Sequence, residues 1–181
     1  MTYKENYYKK ILPKLKKDLE LKNNYLVPRL KKVVINVGFG KHFQEKDFVA
    51  NIENALMKIT GQKPKMNPAK KSVSAFKIRE GNIIAASVTL RGKRMYDFVE
   101  KLVHITFPRV RDFRGIDPKN IDKTGNLTIG IKEHVAFAEI ASEDLDKIFG
   151  LEISLDSTAK NKQEALALFK ELGFPFKKSN N

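Results

Sequence analysis

Hydrophobic residues recur along the chain with two different periods, and each period predicts a different kind of element. Alternation of apolar and polar residues is typical of a strand with one buried face, whereas spacing of three and four residues is typical of an amphipathic helix. The alternating segments are Val33–Phe39, Ile83–Leu90, Asn126–Lys132 and Leu151–Ser157, and the helical segments are Lys4–Leu21, Asp47–Ile59, Met95–His104 and Gln163–Leu172. The pattern therefore predicts an α+β fold.

The predicted strands have two unlike sides. In the first strand Val33, Ile35 and Val37 share one side, whereas Asn36 and Gly38 share the other. The remaining strands repeat this division, so we expect an antiparallel sheet with helices packed on one face and an open, polar opposite face. A flat surface of short polar side chains suits the broad, shallow minor groove of folded RNA, although a solvated sheet face is the ordinary alternative.

Three segments interrupt these patterns. Pro13 lies within the predicted N-terminal helix, which we place in residues 1–24, so a kink or a break is expected there. The segment Lys63–Lys71 contains two prolines and several lysines, and it predicts a loop or a short edge strand. Residues 109–126 lack periodicity and are rich in charge and glycine, which predicts an extended loop. We expect residues 1–181 to form a single domain.

The charge of the chain restricts its partners. The sequence has 35 Lys and Arg residues against 21 Asp and Glu residues, a formal net charge of +14, which favours a polyanion such as RNA. Among charged residues, basic ones dominate the first two thirds of the chain, whereas acidic ones dominate residues 133–160. The acidic segment is expected to face solvent or a basic protein. The chain has no cysteine, no apolar run long enough to span a membrane and no secretion signal, so we expect a soluble intracellular protein.

Several short runs of residues, taken together and in order, resemble a single family. The runs are Asn36–Gly38, Thr60–Pro64, Lys70–Val73, Phe76–Gly81, Val88–Gly92, Pro108–Gly115 and Gly173–Phe176. They resemble the bacterial large-subunit ribosomal protein five family over nearly the whole chain. The resemblance implies a structural constituent of the cytoplasmic ribosome that binds 5S rRNA and helps to attach it in the central protuberance. It also implies contacts with large-subunit rRNA, P-site tRNA, neighbouring ribosomal proteins and a small-subunit head protein, the last at an intersubunit bridge.

The resemblance also implies roles for individual residues, and each role applies only where a motif matches. The residues expected to bind 5S rRNA are Asn36, Gln62, Lys63, Lys70, Lys71, Ser72, Thr89 and Arg91. The loop expected to face tRNA contains Phe76, Lys77, Ile78, Arg79 and Asn82. The residues expected at the bridge are Arg109, Arg111, Asp112 and Arg114. The chain departs from the family at Lys65–Pro68, so the contacts of that segment stay open.

The sequence contains no arrangement that indicates catalysis. No Ser, His and acid constellation or pair of carboxylates stands out, and His42, His104 and His134 lack the spacing of metal ligands. We therefore expect neither an enzyme nor a cofactor nor a metal. The alternatives are an RNA chaperone or regulatory module outside the ribosome, and an RNA-modifying enzyme.

Overall fold

A computed structural model describes residues 2–140 and 148–177, and it confirms the predicted α+β class. The strands are β1 (Leu30–Gly38), β2 (Lys65–Pro68), β3 (Ile83–Leu90), β4 (Leu127–Ile131) and β5 (Leu151–Ser157). They form one antiparallel sheet in the order β2-β3-β1-β5-β4. The helices are α1 (residues 3–18), α2 (Lys46–Thr60), α3 (residues 92–109) and α4 (Lys162–Glu171), and short 3-10 turns lie at Asn24–Leu26, Ser74–Phe76, Pro118–Asn120 and His134–Ala136.

The segment that the sequence left open between loop and edge strand is an edge strand. In β2, Lys65 pairs with Ser87 and Met66 pairs with Ala86 in the antiparallel register of β3, and the register shifts at Pro68. Proline is tolerated there because an edge strand has one side that needs no ladder hydrogen bonds.

The chain forms two compact units. The first contains the described residues of 1–33, 90–129 and 154–181, and the second contains the described residues of 34–89 and 130–153. The expectation of a single domain over 1–181 stays a prediction. Of the acidic segment, Glu139 is described, whereas Glu143, Asp144 and Asp146 lie outside the described residues.

The first unit contains two helices that accommodate a proline by widening one turn. In α1 the helical residues Tyr3–Asn6 lead into a π-turn, Tyr7–Ile11, and the helix then continues over Leu12–Asp18. The Leu12 N–H donates to the carbonyl of Tyr7, five residues earlier, and Pro13 follows directly. The helix is thus not broken at Pro13 but passes it by a wide turn, which relieves the clash between a proline ring and the preceding helical turn.

Helix α3 repeats the same arrangement. Its regular part, Gly92–Lys101, is followed by the π-turn Leu102–Thr106 and by a last turn, Phe107–Arg109. The Phe107 N–H donates to the carbonyl of Leu102, and Pro108 comes next. The predicted end of this helix at His104 was therefore too early, because the wide turn lets the helix pass the proline.

Buried tyrosines hold α1 within the first unit. Tyr7 is fully buried, and its hydroxyl donates a 2.8 Å hydrogen bond to the carbonyl of Pro28. Tyr3 is also buried and donates to the carbonyl of Leu172. Each hydroxyl meets a backbone acceptor, so neither polar group is buried without a partner.

Residues 109–126 of the first unit contain the last residue of α3, one short 3-10 turn and two isolated β-bridges, and they are anchored. Ile116 and Ile121 are buried, and the Ile116 N–H donates a 2.7 Å hydrogen bond to the carbonyl of Pro175. The Phe113 ring stacks on Phe107 with 5.0 Å between the centroids and 9° between the planes. The predicted extended loop is therefore fixed by its apolar residues.

The second unit shows the predicted division of strand faces. Ile35 and Val37 in β1 and Ala86 and Val88 in β3 are buried. On the opposite side of β1 and β3, Asn36 is half-buried and Thr89 is exposed. One face of α2 is also buried, through Phe48, Ile52, Ala55, Leu56 and Ile59. The polar side of these strands is therefore open to a partner.

Candidate nucleic-acid interface

The end of α2 places Gln62 beside β3. Gly61 adopts a left-handed conformation with φ of 66°, and its N–H donates to the carbonyl of Met57. Glycine reaches this conformation without the steric cost that a Cβ would add. The Thr60 hydroxyl donates to the Leu56 carbonyl at 2.7 Å and accepts from the Gln62 N–H at 3.2 Å. The chain beyond the helix is thus held in a defined direction.

Gln62 and Thr89 are brought together. The Gln62 Nε2 atom donates a long hydrogen bond of 3.5 Å to the backbone carbonyl of Thr89, while the Thr89 side chain is exposed. Asn36 lies on the same polar side of the second unit, at the edge of a shallow hollow that also includes Gly38 and Gly130. A Cβ added at either glycine would meet no heavy atom within 4 Å, so the surface there is low and accessible.

Sequence reasoning missed one polar contact on this side. The Asn67 Nδ2 atom donates a 2.8 Å hydrogen bond to the Ser87 hydroxyl, across β2 and β3. The register puts Lys65 opposite Ser87 and Asn67 opposite Ala85, so both β2 residues lie on the polar side. Alternation within β2 carried this signal, but the segment was too short to be assigned as a strand.

The predicted phosphate-binding lysines are exposed. Lys63, Lys70 and Lys71 all lie at the surface of the second unit. Lys63 forms an ion pair of 3.5 Å with Glu53, but 76% of the Lys63 side chain is exposed. An exposed ion pair of this kind contributes little and can be exchanged for a stronger contact, such as one with a phosphate.

The predicted tRNA-facing residues belong to an ordered hairpin, residues 69–82. The Ala69 N–H donates to the carbonyl of Asn82 at 2.8 Å, and Val73 and Ile78 exchange two backbone hydrogen bonds of 2.8 and 3.1 Å. The Ser72 hydroxyl accepts a 2.9 Å hydrogen bond from the Glu80 N–H. Ser72, which was predicted to contact a phosphate, therefore also closes the 69–82 hairpin.

The tip of the 69–82 hairpin presents an aromatic ring and positive charge. The Phe76 side chain is 62% exposed, and Lys77 and Arg79 are exposed. Lys77 has a left-handed backbone with φ of 54°, which is uncommon for a residue other than glycine. Such a conformation persists only where the surrounding hydrogen bonds hold it.

The remaining predicted residues lie in the first unit. Arg91 is exposed and directly precedes α3. Arg109, Arg111, Asp112 and Arg114 are also exposed, and Asp112 has a left-handed backbone with φ of 53°. The anchored residues beside them fix the direction of this basic segment.

Within residues 2–140 and 148–177, no group of three or more His, Asp or Glu side chains is placed to hold a metal ion. His134 is buried and stacks on Phe149 with 3.9 Å between the ring centroids, and its Nδ1 atom accepts from the Phe149 N–H. In the same parts of the chain, no helix is both long and apolar enough to cross a membrane.

Comparison with known proteins places the chain in a family. Residues 23–79 match the family described as Ribosomal protein L5, and residues 83–176 match the C-terminus of the same ribosomal family. Large ribosomal subunit protein uL5 of Pelagibacter ubique is 49% identical over 179 residues, 98% of this chain and 97% of that protein. The uL5 protein of Halothermothrix orenii is 48% identical over 172 residues, 95% of this chain and 96% of that protein. The uL5c protein of Tetradesmus obliquus is 47% identical over 173 residues, 96% of each chain.

The fold, the basic surface and these matches together define a ribosomal protein of the large subunit, which is not an enzyme. The resemblance seen in the sequence is confirmed: the chain belongs to the uL5 family. Membership also confirms the predicted association with rRNA and the location in the large ribosomal subunit.

Proposed function

We propose that the protein binds 5S rRNA through the polar side of β1 and β3 in its second unit and helps to attach that RNA in the central protuberance. The Gln62–Thr89 pair is the observation that carries this proposal. A helix end and a strand contribute side chains to one open surface, and short groups surround them. Such a surface can approach the wide minor groove of folded RNA and meet its 2′-hydroxyl groups.

Asn36, Gln62 and Thr89 supply the specific part of this contact. A side-chain amide offers both a donor and an acceptor, and a hydroxyl does the same. Thr89 is exposed and Asn36 is half-buried, so their polar atoms can face an RNA groove without a rearrangement of the core. These residues therefore set the register of the RNA on the protein.

Lys63, Lys70 and Lys71 supply the electrostatic part within the second unit, and Ser72 offers a hydroxyl to a phosphate. Arg91, in the first unit, supplies a separate phosphate contact. All five are exposed, and each cation that neutralises a phosphate releases a counterion. The affinity for 5S rRNA is therefore expected to fall steeply as the salt concentration rises.

Two further contacts complete the proposal. The 69–82 hairpin faces P-site tRNA through Phe76, Lys77, Ile78, Arg79 and Asn82, and its ordered backbone and exposed cations support this role. The segment with Arg109, Arg111, Asp112 and Arg114 contacts a small-subunit head protein at an intersubunit bridge. Anchoring by Ile116 and Phe113 keeps these charges in a defined orientation before the partner arrives.

The experiment that tests the main contact compares RNAs and one matched pair of variants. Filter binding measures the affinity of the wild-type protein for 5S rRNA, for tRNA and for fragments of other rRNAs over a range of salt. Asn36→Ala is expected to weaken 5S rRNA binding. Asn54→Ala, which removes an exposed amide from α2, is expected to leave it unchanged. Equal affinity for all RNAs, or equal behaviour of the two variants, would contradict the proposal.

Co-sedimentation with large subunits distinguishes the ribosomal role from that of an RNA chaperone outside the ribosome. A protein that binds 5S rRNA but never remains with the subunit through a gradient would favour the chaperone.

A further inference from the structure

The shallow hollow beside Asn36, on the polar side of the second unit, has a volume of about 570 Å³, which is within the range that small ligands occupy. Lys132 and Glu152 bring opposite charges into its lining. A surface made for phosphates alone would gain nothing from a carboxylate, because negative charges repel each other. The polar residues and glycines of the lining are Asn36, Gly38, Gly130, Lys132, Gly150 and Glu152.

Strand alternation directs the polar side chains of the lining to one side. Both chain neighbours of Glu152 are buried, so Glu152 points to the opposite, polar side, where it is exposed. Lys132 follows the buried Ile131 and is exposed on the same side. Asn36 also has buried neighbours on both sides in β1. An amide, an ammonium and a carboxylate therefore line one hollow without contributing to the core.

Glycines keep the floor of the hollow low. A Cβ at Gly38 or Gly130 would meet no heavy atom within 4 Å, so the space above both residues is open. At Gly150 a Cβ would lie 3.2 Å from the carbonyl oxygen of Ile131, so the chain entering β5 runs close to the end of β4. Glycine in a strand often marks a place where a ligand approaches the backbone closely. A planar ligand can lie against this floor.

We propose that this hollow receives one unpaired guanine of 5S rRNA and that Glu152 recognises it. A carboxylate offers two oxygen atoms, and both are acceptors. The Watson–Crick edge of guanine presents two adjacent donors, N1–H and the N2 amino group, whereas adenine, cytosine and uracil each present a donor beside an acceptor. Guanine is therefore the base that donates to both carboxylate oxygens, in a charge-assisted bidentate contact that an unpaired base can make.

Lys132 and Asn36 complete the recognition of this guanine. Guanine O6 lies next to N1–H and accepts a hydrogen bond from the Lys132 ammonium group. The Asn36 amide contacts the 2′-hydroxyl group of the same nucleotide. The inference rests on the proposed binding of 5S rRNA and adds a base-specific contact to it. It also gives Gly130, Lys132 and Glu152 a role that the family resemblance did not.

The direction of one effect separates base recognition from simple charge. If Glu152 only repelled phosphates, Glu152→Gln would strengthen 5S rRNA binding, because it removes a negative charge. Recognition of guanine predicts the opposite, since the Gln amide places a donor against the donors of the base. Filter binding of the full chain is expected to show an affinity about 5- to 150-fold lower, equivalent to the ~1–3 kcal/mol of one bidentate base contact. Glu133→Gln removes the same charge from an exposed residue outside the lining and is expected not to weaken binding.

Chemical probing of complete 5S rRNA identifies the base. Kethoxal reacts with N1 and N2 of unpaired guanines, so wild-type protein is expected to protect one such guanine. Saturating Glu152→Gln is expected to leave that guanine reactive. Gly130→Val fills the hollow at a strand position with open space above it, so it is expected to have the same effect, and it tests the hollow even if Glu152→Gln unfolds. Replacing the guanine by inosine, which lacks the N2 amino group, is expected to weaken binding of wild-type protein but not of Glu152→Gln.

The outcomes that overturn this assignment differ from those that overturn the proposed function. Binding of 5S rRNA that stays sensitive to Asn36→Ala, with no guanine protected, rejects the guanine contact alone. Protection of an adenine or a cytosine from dimethyl sulfate that depends on Glu152 also rejects it. An oligoarginine peptide that binds the wild-type protein but not Glu152→Gln, with no guanine protected, would assign the hollow to a basic protein segment instead. Failure of the wild-type protein to bind 5S rRNA rejects the proposed function.

Discussion

Gln62 reaches the backbone of Thr89, not its side chain: the Gln62 Nε2 atom lies 3.5 Å from the Thr89 carbonyl oxygen. The two side chains are therefore neighbours that do not depend on each other for their orientation. Removing the Thr89 hydroxyl leaves the acceptor of Gln62 in place, and removing the Gln62 amide leaves the strand in place.

We expect Gln62→Ala and Thr89→Ala each to weaken 5S rRNA binding by ~1–3 kcal/mol, the range for a lost hydrogen bond that leaves a buried partner unpaired. Residues in contact ordinarily couple by about 0.5–3 kcal/mol. Here the contact of Gln62 is with the Thr89 backbone, which both variants keep, so the coupling in the double variant is expected to lie at or below the lower end of that range. Filter binding at one fixed salt concentration measures the 5S rRNA affinity of the wild-type protein, the two single variants and the double variant. A strongly non-additive double variant would show that the two residues act as a unit.

Charge reversal at Lys77 and Arg79 is expected to weaken binding of P-site tRNA and to spare 5S rRNA. Both residues are exposed on the 69–82 hairpin, whereas Asn36, Gln62 and Thr89 lie on the strands and the helix end. Two affinities are measured and compared: that of reconstituted subunits for tRNA, and that of the free protein for 5S rRNA. Reversal of two exposed lysines of α2, Lys46 and Lys58, supplies a control with the same change of charge. Equal loss of both activities would show that the hairpin has no separate role.

Tyr7→Phe is expected to destabilise the fold by ~1–3 kcal/mol, because it leaves the buried carbonyl of Pro28 without its donor. The neighbouring ring of Tyr8 is 46% exposed, so Tyr8→Phe provides a matched control that is expected to leave stability unchanged. Urea unfolding monitored by circular dichroism gives both values. Identical midpoints for the two variants would mean that the Tyr7 hydrogen bond makes no net contribution.

The free energy of unfolding is expected to fall at alkaline pH because the buried Tyr3 hydroxyl ionises there. Burial, with a smaller effect of nearby Glu100, raises the pKa of Tyr3 from 10.0 to about 12. Because the pKa of Tyr3 is higher in the folded state, the unfolded chain loses this proton first as pH rises. The contribution of Tyr3 to the free energy of unfolding is therefore fully present below pH 10 and declines as pH rises toward 12. Tyr3→Phe is expected to reduce the slope of unfolding free energy against pH in this window, and an unchanged slope would assign the decline to other groups.

Strands β1, β3, β4 and β5 could be predicted because side chains alternate along a strand with a period of two. Residue type alone was enough to separate Ile35 and Val37 from Asn36. The nearness of Gln62 to Thr89 could not be predicted from that period, since it depends on the left-handed Gly61 and on where the helix ends. The family resemblance assigned Gln62 and Thr89 to the same binding role, but only the structure shows the hydrogen bond between them.

Other features were hidden because they join distant or short segments. Asn36 and Glu152 are far apart in sequence, and alternation indicates the side of the strand on which each lies but not that both line one hollow. The wide turns before Pro13 and Pro108 were also missed, because a proline within a helical pattern indicates an interruption and does not indicate which kind.

The wide turn in α1 has a consequence for how this chain can change in length. Its buried residues Tyr3, Tyr7, Ile11 and Leu15 are spaced by four throughout, and a regular α-helix would carry such a series progressively around its surface. The surplus residue in the turn compensates for part of that drift. Deleting any one residue between positions 7 and 11 would replace the wide turn with a regular one, in which the Pro13 ring would clash with the preceding helical turn. This stretch is therefore expected to accept substitutions far more readily than single-residue deletions.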